Sequence, residues 1–451
     1  MNIEDYKKSV KNKKIAVIGI GISNRPLIKY LKEAGADVTA YDKRTKEELG
    51  EIYAEMEKIG VKTVLGENYL DKLDGEIIFK TPGLRFDNPA LLSAKEKGAQ
   101  ITSEMEVFFD VCPCKIIAVT GSDGKTTTTT LIYKILEKSG YKVWLGGNIG
   151  NPLLCDTEKM SPSDIVVLEL SSFQLHTMRK SPHIAVITNI TPNHLDMHKD
   201  YSEYIDAKKN IMLYQNENDR LVVNASNEET EKIGKYAKGE LLDFSSKKDA
   251  YITLKDGEIV RGGVPVLKIS DIKIPGMHNV ENYMAAIAAV AGLAKDSAIL
   301  EVAKTFGGVE HRIELVRVLD GVKYYNSSID SSPNRTKNTL KVFKDKVILI
   351  AGGKDKGIPY DDLGEPIAEK VKILILIGKT ADKIEAALKN YKKDNDVRII
   401  KCTSYDEVVK TAHSIAKDGD VVILSPASTS FDMFSNFEER GNLFKKLVNE
   451  L

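Results

Sequence analysis

The chain of 451 residues has no net charge, because 65 Lys and Arg balance 65 Asp and Glu. A nucleic-acid protein would show a basic surplus, so no nucleic-acid partner is expected, although local basic pockets are still allowed. No apolar run reaches the length of about 18 residues that a membrane-spanning helix needs. The start, MNIEDYKKSVKNKK, lacks the apolar core of a signal peptide. Cysteine is scarce, and of the four only Cys112 and Cys114 are close. A second ligand pair for a zinc site is missing, so reduced thiols are expected. No internal repeat stands out. These absences point to a cytoplasmic enzyme with no membrane insertion.

What is present is an alternation of strand-like and helix-like segments in a chain too long for one ordinary domain. The first stretch carries KIAVIGI, then RPLIKYLKEAG with helical spacing, then DVTAYD. The second carries KIIAVTG, YKVWLG, DIVVLEL and IAVITNI, a hairpin pattern ITLKDGEIV turning at Asp256-Gly257, and an Ala-rich helix at 278–294. The third carries KVILIAGG, KILILIG, VRIIKC and DVVILSP, each followed by a helical pattern. This predicts an α/β protein of three domains, over 1–105, 106–308 and 309–451, each with a parallel sheet.

The strongest motif is IIAVTGSDGKTTTTTLIYKIL, from Ile116 to Leu136. A β-branched strand runs into Gly121-Ser122-Asp123-Gly124-Lys125-Thr126 and then into a helix. That is the context of a P-loop, although the usual first glycine position holds Val119. The mechanics survive the shortening. Backbone N–H groups wrap phosphates, Lys125 neutralises the β/γ charge, and Thr126 offers a hydroxyl to Mg²⁺. Among the further threonines only Thr127 is a candidate nucleotide contact.

Two side chains fall at strand ends of the same sheet: Glu169 in VVLELSSFQL and His194 in ITNITPNHLDMH. A carboxylate buried at a strand end is costly unless paired or metal-bound, so Glu169 and His194 are candidate metal ligands. Mg²⁺ prefers oxygen, and the imidazole leaves Mn²⁺ open as an alternative. A weaker glycine pair, Gly19 and Gly21, follows the first strand, with Asp42 at the end of the next. It reads as a nucleotide-diphosphate cradle at a helix N-terminus. Gly21, Ser23, Asp42, Lys43, Arg44 and the turn Thr81-Pro82-Gly83 are its expected substrate contacts.

TGSDGKTTT, GNIG with Asn148, ELSSFQL, TNITPNHLDMH, YIDAK ending at Lys208, HN at 278–279 and HRIE from 311 together resemble the Mur ligase family. These are ATP-dependent amide ligases of peptidoglycan precursor synthesis. The resemblance implies a Rossmann-like N-terminal domain that binds a UDP-linked substrate, a central ATP-binding P-loop domain and a Rossmann-like C-terminal domain that binds an amino acid. It implies that Lys208 captures CO₂ as a carbamate and becomes a metal ligand with Thr126, Glu169 and His194. It places Asn148 near the substrate, and Asn279, His311 and Arg312 at the nucleotide. Lys125, Lys208, His194 and Arg312 are the implied catalytic set. The C-terminal LSPASTSFDMFSNFEERG resembles the member that adds D-glutamate. That implies UDP-N-acetylmuramoyl-L-alanine and D-glutamate as substrates, with Lys356, Ser430 and Phe437 around the amino acid, in a monomer.

Two positions depart from the family pattern. Ser428 stands where a Cys is usual, with Ser430 in place beside it. Ser327 stands where an Asp is usual, and Asp330 three residues on is expected to supply the missing carboxylate to the nucleotide. A folylpolyglutamate synthase-like ligase shares the central chemistry but would not need the N-terminal nucleotide domain. A GTP switch would show an N/T-K-x-D motif, which is absent. A silent binding protein is supported only by Ser327.

Overall fold

The computed structural model describes residues 1–21, 23–192, 197–355, 357, 359–391 and 395–451. It divides into two compact units. One comprises Met1–Ile272 with Met277–Lys304, and the other Lys273–Gly276 with Thr305–Leu451. The first unit contains two sheets and the second contains one.

The N-terminal sheet has five parallel strands. Lys14–Ile18 lies at the centre, flanked by Asp37–Asp42 and Ile77–Phe79, with Lys62–Leu65 and Gln100–Thr102 at the edges. Gly19 and Gly21 follow the central strand, and the helix Asn24–Glu33 starts directly after them. Gly19 has φ +86°, and a Cβ there would stand 3.3 Å from the Thr81 Cβ, so glycine lets two loops meet at the sheet edge.

The second sheet is larger. Its parallel part runs in the spatial order Ile252–Lys255, Glu240–Ser245, Arg220–Asn224, Ile184–Ile187, Lys115–Thr120, Ile165–Glu169, Val143–Gly147. The Asp256-Gly257 turn forms as expected, with φ of 51° and 78°. The added strand Val264–Lys268 extends the antiparallel edge. The two sheets of this unit share one apolar cluster that includes Val17, Phe79, Phe108, Leu154, Leu168 and Ile187.

The six-stranded C-terminal sheet corrects the expectation of an all-parallel third domain. Val322–Asn326, Val421–Leu424, Val347–Ala351, Val371–Leu376 and Arg398–Lys401 are parallel, but Glu314–Leu319 pairs antiparallel with Val322–Asn326 at one edge. That hairpin turns at Asp320 and Gly321, again with positive φ. All four cysteines are free, and no helix among the described residues is long and apolar enough to cross a membrane.

Candidate active site

Ligands of parallel sheets bind beyond the carboxyl ends of the strands, and the candidate residues of the first unit gather at two such edges. At the central edge the strand Lys115–Thr120 delivers Gly121 and the helix Lys125–Lys138 begins. A Cβ on Gly121 would stand 2.0 Å from the Thr188 hydroxyl, and Gly124 sits at φ +79° as the helix cap. Neither position accepts a side chain in this backbone. The neighbouring strand end holds the loop in shape. Asn189 O accepts from the Ser122 N–H at 2.8 Å, and Thr188 Oγ1 donates to Asp123 O at 2.6 Å. The Ser122 hydroxyl lies 2.9 Å from that of Tyr204. The amino ends of the helix therefore stay ordered and open toward an anion.

Lys125 folds back over this loop, its Nζ donating to Gly121 O at 2.9 Å and Ser122 O at 2.8 Å. Thr126 is buried and Thr127 half-buried, while Thr129 and Thr130 donate to the carbonyls of Lys125 and Thr126. Lys208 lies on the helix Tyr201–Leu213, capped by Asp200. Its side chain is fully buried, and Nζ donates to Gly121 O at 2.7 Å and to Thr120 Oγ1 at 3.3 Å, over the Tyr204 ring. Burial, and after it the Lys125 charge, push this ammonium well below the usual lysine range, against the pull of Glu169 and Asp123.

Glu169 is buried at the adjacent strand end. Asn148, itself exposed, donates to its Oε1 at 2.9 Å, and its Oε2 has no hydrogen-bond partner among the described residues. An orphaned buried carboxylate oxygen is a ligand suited to a hard cation. Among the described residues no group of three His, Cys, Asp or Glu could hold a metal by itself. His194 lies outside the described residues.

At the N-terminal edge Asp42 is buried and turned inward. It accepts from Ile20 N at 2.7 Å, from Arg44 N at 3.0 Å, and from Arg44 Nε and Nη2. Burial raises its pKa, but Arg44 and the two N–H groups outweigh burial and the net shift is downward. Asp42 thus braces the glycine loop from the strand end. Gly21, Ser23, Lys43, Pro82 and Gly83 are exposed, and Thr81 and Arg44 are half-buried around them.

Sequence reasoning missed the tie between the two edges. Arg85, just past the Thr81-Pro82-Gly83 turn, donates to Glu203 on the Lys208 helix through both terminal nitrogens at 3.1 Å, and to Met197 O at 2.7 Å. Arg85, ahead of burial, holds Glu203 down to about 2. His198 Nε2 lies 2.9 Å from the Ser172 hydroxyl, and its Nδ1 is 3.5 Å from Glu203. The second histidine of HLDMH was the available signal.

In the second unit His311 is buried at φ +61°, with Nδ1 2.9 Å from Asn326 Nδ2 and its ring edge-on to Phe437 at 5.9 Å. Arg312 is half-buried beside it, and Asn279, in the first unit, is also half-buried. Asp330 is buried, and its Oδ2 accepts from Thr339 and Ser425, each at 2.7 Å. Burial raises its pKa against hydrogen bonds from Ser425, Ser327 and Thr339. These hydroxyls turn the carboxylate into the domain. In this structure Asp330 anchors the loop at 326–330 through these hydroxyls. Ser430 is buried, and its hydroxyl makes no hydrogen bond among the described residues. Lys354 and Thr429 bridge, which brings the Gly352-Gly353 loop against the segment of Ser430. Lys356 lies outside the described residues.

Family models match along the chain: "Mur ligase MurD-like, N-terminal domain" over 13–103, "Mur ligase middle domain" over 119–290, and "Mur ligase, glutamate ligase domain" over 311–428. A UDP-N-acetylmuramoylalanine–D-glutamate ligase of Ruminiclostridium cellulolyticum is 57% identical over 100% of this chain and 99% of its own. The chain belongs to the Mur ligase family. The enzyme of the same description from Acetivibrio thermocellus is also 57% identical, with the same coverage. Among solved Mur ligases, the UDP-N-acetylmuramate-alanine ligase of Thermotoga maritima superposes with TM-score 0.58 at 21% identity, covering 97% of this chain and 99% of that one. The MurF ligase of Thermotoga maritima, in complex with ADP, gives 0.56 at 18%, covering 98% and 97%. These structures share the three-domain α/β Mur ligase fold, Rossmann-like at both ends and P-loop ATPase-like in the middle.

Proposed function

We propose that this Mur ligase is an acid–D-amino-acid ligase that joins D-glutamate to UDP-N-acetylmuramoyl-L-alanine, converting ATP to ADP and phosphate in cytoplasmic peptidoglycan precursor synthesis. The full-length likeness to two ligases of that description supports the substrates. The observation that carries the reading is the convergence of Lys125, Lys208 and the orphaned Glu169 oxygen at one sheet edge. Working boundaries are 1–105 for the UDP-substrate domain, 106–308 for the ATP domain and 309–451 for the amino-acid domain.

A carboxylate does not expel oxide to an amine at neutral pH, so it must first be activated. The substrate's terminal carboxylate attacks the γ-phosphorus of ATP, and ADP leaves. The D-glutamate amine then adds to the acyl phosphate, and the tetrahedral adduct expels phosphate as the amide forms. Gly121 to Thr127 cradle the phosphates, and Lys125 leaves its two carbonyls to meet the transferred group. Asn279, His311 and Arg312 are assigned to the nucleotide by the family likeness, and Lys356, Ser430 and Phe437 to D-glutamate. Thr126, Glu169, His194 and a carbamylated Lys208 would hold Mg²⁺ or Mn²⁺, and the unpartnered oxygen of Glu169 supports a cation there. A bound cation would neutralise phosphoryl charge. Lys208 suits carbamate formation because its amine is buried and pushed toward the neutral, nucleophilic form. Asn148 holds Glu169 in place.

Phosphate release from ATP with UDP-N-acetylmuramoyl-L-alanine tests this reading. D-glutamate should support turnover, and L-glutamate, L-alanine and diaminopimelate should not. Equal use of L-glutamate would remove the assignment.

A further inference from the structure

At the N-terminal edge stands a buried lysine that the scheme above does not use. Lys80 follows the strand Ile77–Phe79 and is only 4% exposed. Its backbone N–H donates to Thr102 O, but its Nζ makes no hydrogen bond or ion pair among the described residues. Glu106 acts on it only from a distance, and the Oε2 of Glu106 is itself buried without a hydrogen-bond partner among the described residues. Burial lowers the His176 pKa, and the nearby Arg85 and Lys80 charges lower it further against the pull of Glu203. Lysine is almost never buried without a partner, and a buried cation without one is held at a free-energy penalty unless a ligand completes it.

The surroundings say what the ligand is. Lys80 lines two small cavities at the seam of the two sheets, one with Ser23, Asn24 and Gln174, the other with Arg85, His176 and His198. The seam lies between the Gly19–Gly21 loop, where a nucleoside would start, and the central edge, where the substrate's carboxylate must meet the γ-phosphate. Between those ends the proposed substrate carries a diphosphate and then a sugar, and of the two the diphosphate is the anion that an ammonium would pair with. We infer that Lys80 holds the diphosphate of the nucleotide-linked substrate. This rests on the proposed substrate class but not on the identity of the amino acid added.

Binding of uridine, UDP and UDP-N-acetylmuramoyl-L-alanine to the full chain and to Lys80→Met, measured by calorimetry, tests it. Uridine affinity should stay within twofold, while UDP and the full substrate should each bind roughly tenfold to a hundredfold more weakly. The unliganded variant should melt no lower than the parent, since Met fills the site without a buried charge. A lower melting point with equal weakening of all three ligands would make Lys80 merely structural and overturn the inference. So would unchanged affinities, or weakening confined to the full substrate, which would assign Lys80 to the carboxylate end. A parent that binds UDP but fails to turn over the full substrate would sink the proposed reaction and leave Lys80 standing. One that binds neither UDP nor the full substrate would end both.

Discussion

The two sheet edges of the first unit treat their buried lysines in opposite ways. At the central edge both lysines are tied down before any ligand arrives. Lys125 and Lys208 even share one acceptor, Gly121 O. At the N-terminal edge Lys80 has no acceptor, and Asp42, its nearest strand-end carboxylate in sequence terms, is spent on Ile20 and Arg44. The difference follows from what each edge has to do. At the central edge the proposed chemistry uses lysines that the loop carbonyls hold close at hand, and Lys125 exchanges those carbonyls for the transferred group. Binding at the N-terminal edge needs only that a charge be ready, and the ligand can supply the partner.

The sharpest way to break this contrast is to remove the positioned charges. Lys208→Ala should be nearly inactive and should recover in part with added short-chain carboxylates that occupy the vacated oxygen positions. No recovery at any concentration would take the main support from the carbamate, and unchanged activity would end it. Lys125→Ala should lose roughly 10²–10⁴ in kcat with substrate-nucleotide binding at the other edge intact. Activity within threefold of the parent would remove Lys125 from the site.

The central edge was legible in the sequence because its chemistry is local. Gly121 to Thr126 are consecutive, and Glu169 and Lys208 each sit in a distinctive run. Distant pairings were harder to see. Asp42 reaches back 22 residues to Ile20, and Arg85 reaches forward 118 residues to Glu203. Composition and spacing say nothing about such partners. The antiparallel edge strand Glu314–Leu319 was within reach, since Asp320-Gly321 repeats the turn signal that marked Asp256-Gly257. Lys80 was invisible because a lysine after a short strand is usually solvated, and only its burial distinguishes it.

A smaller effect is expected in the second unit, where Asp330 tests whether a buried carboxylate acts as an anchor. Asp330→Ala removes the acceptor of the Thr339 hydroxyl and one of the two bonds of the Ser425 hydroxyl, which keeps Thr336 at 2.9 Å, a loss of about 1–3 kcal/mol. Thermal unfolding should shift down by a few degrees, with the Michaelis constant for ATP rising only as far as the loop loosens. An unchanged melting point together with a tenfold rise in that constant would restore the direct contact.

The smallest expected effect returns to the N-terminal edge and to its second buried charge. Glu104 lines the cavity of Lys80, and among the described residues its only side-chain hydrogen bond is from the Leu154 N–H at 3.1 Å. Burial pushes its pKa up to about 7, with that N–H pulling weakly the other way. The folded state therefore holds a proton that the unfolded chain, with an ordinary glutamate near 4.5, releases. Its protonated form stabilises the fold fully below the unfolded value, and that stability drains away as pH rises from there through about 7. Glu104→Gln keeps an acceptor for Leu154 and removes the ionisation. The variant should match the parent near pH 4.5 and melt a few degrees higher at pH 8. If instead it melts lower at pH 8, the ionised Glu104 has a partner. The N-terminal edge would then be as internally paired as the central one, and the contrast between them would reduce to Lys80 alone.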